Sequence, residues 1–213
     1  ACTSSLTFIW RPDSHHAHAT YPTRLSPYVT RQTAIEEGSL LNAESEEASI
    51  ERDCFVYRSY ACDGDPEAVL SELDDPSKLG TSLLSVRLFA RYVAGESSGN
   101  ESECKVVLDK FEELLKDPLS SSNTTLQTLV ATVFLRAANY ADALRVARSG
   151  STLEILAIRV QALLAMNRVD LAAKVSEEMR DLNDDAVLTQ LATAWVYVKQ
   201  VRVVSLNCHQ NLF

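Results

Sequence analysis

Glycine and proline are scarce in this chain, six of each in 213 residues, so little interrupts runs long enough for helix. Grouped basic residues are missing as well. The 20 Lys and Arg are scattered singly among 29 Asp and Glu, giving a net charge of −9 and a pI near 4.9. That balance excludes nucleic acid as the main partner, because phosphate binding needs clustered cations. No run of about 18 apolar residues could span a bilayer. Ala1–Trp10 has neither a basic start nor a long apolar centre, so it does not read as a signal peptide. The five cysteines (Cys2, Cys54, Cys62, Cys104, Cys208) are odd in number and never form a CxxC pair. That usage suits reduced thiols in the cytosol rather than a disulfide framework.

What is present divides into three textures. Residues 1–30 hold Pro12, Pro22 and Pro27 and three of the four histidines, His15, His16 and His18. Closely spaced imidazoles can ligate zinc or copper, but no scaffold or fourth ligand accompanies them, and the segment is expected to be a disordered tail without a metal. The fourth, His209, lies in the other terminal tail. Asn100-Glu-Ser102 and Asn123-Thr-Thr125 match the glycosylation sequon and, without a secretory signal, read as chance.

From Arg31 the chain becomes acidic and helical. Arg31–Leu41 is expected as a short helix and Ala43–Ser49 as a polar linker. Ile50, Cys54, Tyr57 and Ala61 then share a helical face, stopping at Gly64, and Pro66 suits the first turn of the next helix. Leu83, Val86, Phe89, Ala90 and Val93 form another face, closed by Gly95–Gly99. Val107, Phe111, Leu114 and Leu115 point inward from a helix over about 102–116, which Asp117-Pro118 ends. Thr124-x-x-Gln127 and Ser151-x-x-Glu154 read as capping boxes opening two more helices, with partner helices after Asn139 and Arg168. In the last of these, Ala172, Val175, Met179 and Leu182 are expected inward. Finally, Leu188, Leu191, Ala192, Trp195 and Val198 repeat the pattern behind the capping residues Asn183, Asp184 and Asp185.

The helices come in pairs. Placing the second helix of each pair at Pro66, Ser102, Tyr140 and Val169 gives intervals of 36, 38 and 29 residues. Their mean, about 34, is the period of the tetratricopeptide repeat, two antiparallel helices that stack into a solenoid. The fold class is therefore all-α, a tetratricopeptide-like helical-hairpin solenoid. A plain helical bundle is the alternative, since the repeat's Trp-x-x-Leu-Gly signature is absent. The inward positions are Leu, Val, Ala, Phe and Met with no His, which gives no polar constellation for catalysis and implies no enzyme and no cofactor. Arg52 beside Asp53 reads as a solvated helix pair rather than a catalytic one.

Two segments are more specific. Ile50-Glu-Arg-Asp-Cys-Phe-Val-Tyr-Arg-Ser-Tyr60 resembles the (V/I)ERDxxxxRxY segment of the coatomer epsilon subunit family. Asp184-Asp-Ala-Val-Leu-Thr-Gln-Leu-Ala-Thr-Ala-Trp195-Val is similar to that family's D-x-TLTQLA(T/S)AW segment. Weaker similarities between them fall in the family's order, over roughly Arg31 to Val198. The resemblance implies a non-catalytic solenoid of the COPI coat that holds the C-terminal domain of the coatomer alpha subunit. It implies a cytoplasmic protein, peripheral on Golgi membranes and vesicles through the rest of the coat, in Golgi-to-ER and intra-Golgi transport. An adaptor for some other peptide on the same repeat fold is the rival. No residue is assigned to partner contact, because the face that would carry it depends on the superhelix.

The ends depart from the family. Residues 1–30 do not resemble its opening helix, and Lys199–Phe213 reads as a divergent C-terminal tail. The expectation is a truncated or fragmentary chain, with residues 31–198 an incomplete solenoid whose last helix lacks its antiparallel partner.

Overall fold

The computed structural model describes Ile35, Glu36, Gly38, Leu40 and residues 45–210. The 1–30 segment with His15, His16 and His18, and most of the Arg31–Leu41 helix, lie outside the described residues. Among the described residues there are helices, one 3-10 turn and no strand. In chain order they are α1 (Glu46–Asp63), α2 (Pro66–Glu72), the 3-10 turn (Pro76–Lys78), α3 (Thr81–Ser98), α4 (Glu101–Lys116), α5 (Pro118–Ser121), α6 (Thr124–Arg136), α7 (Tyr140–Val146), α8 (Leu153–Ala165), α9 (Val169–Leu182) and α10 (Val187–Gln210).

The pairs share one hinge design. Each first helix, α1, α3, α6 and α8, ends on a left-handed residue: Gly64 (φ 104°), Gly99 (69°), Ala138 (60°) and Asn167 (59°). The next amide then donates back to the carbonyl five residues earlier: Asp65 to Tyr60 (3.2 Å), Asn100 to Gly95 (2.8 Å), Asn139 to Phe134 (2.9 Å) and Arg168 to Leu163 (2.8 Å). This is a Schellman turn, which satisfies carbonyls that the helix end would leave free. One residue later the second helix begins, so the second helices start 35, 39 and 29 residues apart. The long interval contains the extra turn α5, set up by Pro118 at its first position and by Asp117, whose carboxylate accepts from the Leu119 and Ser120 amides. The short interval follows the seven-residue α7.

Packing runs between near neighbours. The first helices form a row in which α1 packs on α3, α3 on α6, α6 on α8 and α8 on α10. Each second helix packs on its own first helix, and α2, α7 and α9 also pack closely on the next one, a contact that α4 makes more sparsely with α6. Helices in the row are therefore covered on several sides. In α8, Leu153, Ile155, Leu156, Ala157, Ile158, Val160, Ala162, Leu163 and Leu164 are all buried. α4 has an apolar stripe instead, with Val107 and Phe111 fully buried and charged residues elsewhere. Ile155 and Ile158 belong to the apolar core running back to Cys54, while Leu156 and Val160 belong to the core shared with α9 and α10. α8 thus joins two cores. Each fully buried Leu, Ile or Phe contributes about 1.5–3 kcal/mol.

Several expectations shift by a residue or a face. The capping box at Thr124 is displaced: Asn123 is the cap, its Oδ1 accepting from the Leu126 amide at 2.9 Å, and Gln127 turns to the Ser121 carbonyl. Likewise Thr152, not Ser151, caps α8 by accepting from the Ile155 amide. Ser45 caps α1, so helix replaces most of the expected 43–49 linker. α3 runs through Gly95 to Ser98 because the left-handed stop is Gly99. Leu182 is exposed, at the last turn of α9, and Ser176 is buried instead, hydrogen-bonded to Thr193 of α10 at 2.9 Å. On α10 the buried face is Leu188, Thr189, Ala192 and Val196, with Leu191 and Trp195 half-buried and Val198 exposed, because α10 packs against both α8 and α9. Asn183 caps the turn before it as expected, accepting from the Asp185 and Ala186 amides at 3.1 Å. The α10 backbone continues as helix through Lys199 to Gln210.

Candidate partner surface

The packing pattern gives the row of helices an inside. First helices pack closely on one another along the chain, whereas α2, α4, α7 and α9 are not closely packed on each other. A layer whose members touch, backed by a layer whose members splay, curves toward the touching layer. The inner face is therefore built from α1, α3, α6, α8 and α10.

One contact reports that curvature directly. The Arg58 guanidinium on α1 donates to the carboxylate of Glu154 in the first turn of α8, 96 residues away. Their side chains are 16% and 21% exposed, so the pair is largely withdrawn from water. Other ion pairs join neighbouring helices: Arg91 with Glu103 across α3 and α4, Arg136 with Glu96 across α6 and α3, and Arg159 with Glu178 at 3.4 Å across α8 and α9. The segment that supplied the first sequence resemblance thus contributes three kinds of group. Arg52 and Asp53 pair side by side at 2.6 Å, Cys54 enters the core, and Arg58 reaches α8.

A cleft of about 420 Å³ lies between α1 and α2, lined by Arg52, Asp53, Val56, Tyr57, Tyr60, Ala68, Val69 and Glu72. Burial, reinforced by the Glu72 and Asp53 charges, raises the Tyr57 hydroxyl above its ordinary pKa. The Asp53 carboxylate in this cleft is held by Arg52. Burial pushes the Cys54 thiol up to about 12, which makes it a core group and not a reactive one. Cys104 is also a free thiol and donates to the Tyr92 carbonyl at 3.8 Å. Among the described residues no cluster of His, Cys, Asp and Glu could hold a metal ion, and no helix is long and apolar enough to cross a membrane. Both sequon asparagines serve as helix caps, and the Asn123 amide also donates to Ser82 Oγ at 2.9 Å.

A family model described as coatomer epsilon subunit matches residues 28–202, spanning the helical pairs from before α1 into α10. The chain belongs to the coatomer epsilon subunit family. Coatomer subunit epsilon-2 of Oryza sativa subsp. indica is 41% identical over 176 residues, covering 83% of this chain and 57% of the relative. Coatomer subunit epsilon-1 of Arabidopsis thaliana is 33% identical over 165 residues, covering 78% and 54%. Coatomer subunit epsilon of Dictyostelium discoideum is 27% identical over 172 residues, covering 78% and 56%. The chain therefore spans little more than half the length of these relatives. Within the family, the matched region is the stack of helical pairs together with its inner face. That face was not legible in the sequence, because Arg58 and Glu154 are brought together only by the superhelix.

Proposed function

We propose that this chain is a non-catalytic structural component of a COPI-type coat, and that the inner face of its helical stack holds an extended segment of the coatomer alpha subunit's C-terminal region. The observation that carries the reading is the continuous family match over residues 28–202, which coincides with the helices forming that face. Solenoids of helical pairs present a preformed concave surface to peptide partners, which limits the ordering cost of binding. Through the alpha subunit the chain would sit in the cytoplasm, peripheral to Golgi membranes and COPI vesicles, during Golgi-to-ER and intra-Golgi transport. Attachment through other subunits suits an acidic chain of net charge −9 without clustered cations for anionic lipid.

Titration of the purified chain with a coatomer alpha C-terminal region tests this, with calorimetry and gel filtration as readouts. The expected result is a saturable complex of one chain with one alpha region. Capture of unrelated peptides on the inner face, with no measurable affinity for the alpha region, would replace this reading with that of a general tetratricopeptide adaptor.

A further inference from the structure

We propose that Arg58 and Glu154 form a clasp that closes the row of first helices on itself and sets the curvature of the inner face before any partner arrives. α1 and α8 are separated in that row by α3 and α6, and they are not among the closely packed helix pairs. At 8–10 Å between neighbouring helix axes, a flat row would hold α1 and α8 about 24–30 Å apart, beyond the reach of one arginine and one glutamate. The contact exists because the row curls, and it is the ion pair that spans the curl. The Arg91–Glu103, Arg136–Glu96 and Arg159–Glu178 pairs join helices already in contact, so none of them can play this part.

The chemistry suits a clasp. Both side chains are mostly withdrawn from water, so salt screens the pair less than it would an exposed one. Loss of either partner removes the tie across the row, and loss of Arg58 takes from the largely buried Glu154 carboxylate the cation that faces it, which favours splaying of the row until water reaches it. Glu154 is free to serve because Thr152 caps α8; its carboxylate leaves the helix end and turns across the inner face. The consequence for binding rests on the reading of that face as the alpha-subunit site. A pre-curled face pays less to close around an extended segment than one that must curl on binding.

The test keeps the two readings apart by measuring shape without a partner. Spin labels are attached through unnatural residues at Asp63 and Ser151, exposed positions at the end of α1 and just before α8, and their separation is read by pulsed electron resonance. The parent chain is expected to give a narrow distribution. Glu154→Gln and Glu154→Asp should both lengthen and broaden it, and the exchange Arg58→Glu with Glu154→Arg should restore it. Glu154→Asp is the deciding variant: it keeps a negative charge at the α8 N-terminus, so a role confined to the helix dipole would leave its distances unchanged and overturn the clasp. Circular dichroism confirms that each variant remains helical, and Arg58→Gln repeats the test from the other side should a Glu154 variant fail to fold.

Affinity for the alpha C-terminal region is expected to fall about 5- to 10-fold in Glu154→Gln and to recover in the exchanged pair. Unchanged or tighter binding by a splayed chain would overturn the role of the clasp in binding. Distances that respond in a parent chain with no affinity for the alpha region would leave the clasp standing and remove the proposed function.

Discussion

Cys54 shows what a single residue contributes when its environment is decided by packing. Its side chain is 2% exposed and its thiol is pushed up to about 12, chiefly by burial, against an opposing pull from Arg58 and with smaller additions from the nearby Asp53 and Glu51 charges. Below pH 9 both the folded and unfolded chains hold the thiol proton, and its contribution to stability is constant. Above pH 9 the unfolded thiol ionises while the folded one does not, so the unfolded state gains. Stability is then lost as pH rises toward 12, by at most about 1.4 kcal/mol per pH unit from this group. Urea unfolding between pH 8 and 11 should therefore show a steeper decline in the parent than in Cys54→Ala, even though the variant starts lower for want of the buried sulfur. Parallel declines would mean that the thiol is not held neutral. The sequence placed Cys54 on the inward face of α1 by its spacing from Tyr57 and Ala61. It could not supply Arg58's second role, because a charge three or four residues from a core position is usually solvated, and only the curl of the whole row brings Glu154 to it.

Among the elements, the hinge between paired helices makes the sharpest demand on sequence. The same left-handed residue and five-back hydrogen bond recur in each of the four described pairs, but the residue in that conformation is Gly64, Gly99, Ala138 or Asn167. Glycine adopts φ near +60° without a Cβ penalty, asparagine tolerates it, and alanine is strained by about 1–2 kcal/mol. Ala138→Gly is therefore expected to stabilise the chain by about 1 kcal/mol, less what the greater freedom of glycine in the unfolded chain removes. The reverse change, Gly99→Ala, should destabilise it by a similar amount, since a Cβ there meets no neighbour and only the backbone conformation is at stake. Thermal unfolding of both variants checks the pair, and a fall in stability for Ala138→Gly would rule out strain at that turn. The helical pairs themselves were legible because their apolar faces repeat at 3.6 residues between these stops. Their starts were less so. Asn123 precedes Thr124, and Thr152 follows Ser151, so two adjacent residues in each place can accept an amide hydrogen bond. The caps form alongside tertiary contacts that no local pattern shows, Asn123 with Ser82 and Glu154 with Arg58. α10 was ambiguous for a related reason. Apolar residues at 188, 191, 192, 195, 196 and 198 allow more than one inward face, and packing against two helices selects the one that buries Val196 and turns Val198 out.

At the scale of the whole molecule, burial is spread unevenly along the stack. α3, α6 and α8 are covered by helices on both sides, whereas among the described residues α10 is covered by α8 and α9 alone. Leu188, Ala192 and Val196 fill the covered side, while Tyr197, Val198 and Val201 stand 57%, 67% and 70% exposed. Leu182 at the end of α9 is 52% exposed as well. Singly exposed apolar residues are ordinary, but Tyr197, Val198 and Val201 lie at i, i+1 and i+4 on one helix and form a continuous strip. Such a strip costs solubility wherever it faces water. The net charge of −9 opposes association through general repulsion, yet that repulsion is screened beyond about 8 Å at physiological ionic strength, while the apolar contact is not. The purified chain should accordingly self-associate more as salt is raised. Val198→Lys with Val201→Glu should lower that tendency several-fold in light scattering and leave the unfolding temperature nearly unchanged, because neither side chain is buried in the stack. If scattering falls only as stability rises, partial unfolding drives association and the strip is not its cause. If it falls at constant stability, the strip is the sticky surface, and the charged double variant becomes the form in which the clasp and the inner face can be measured without interference from aggregates.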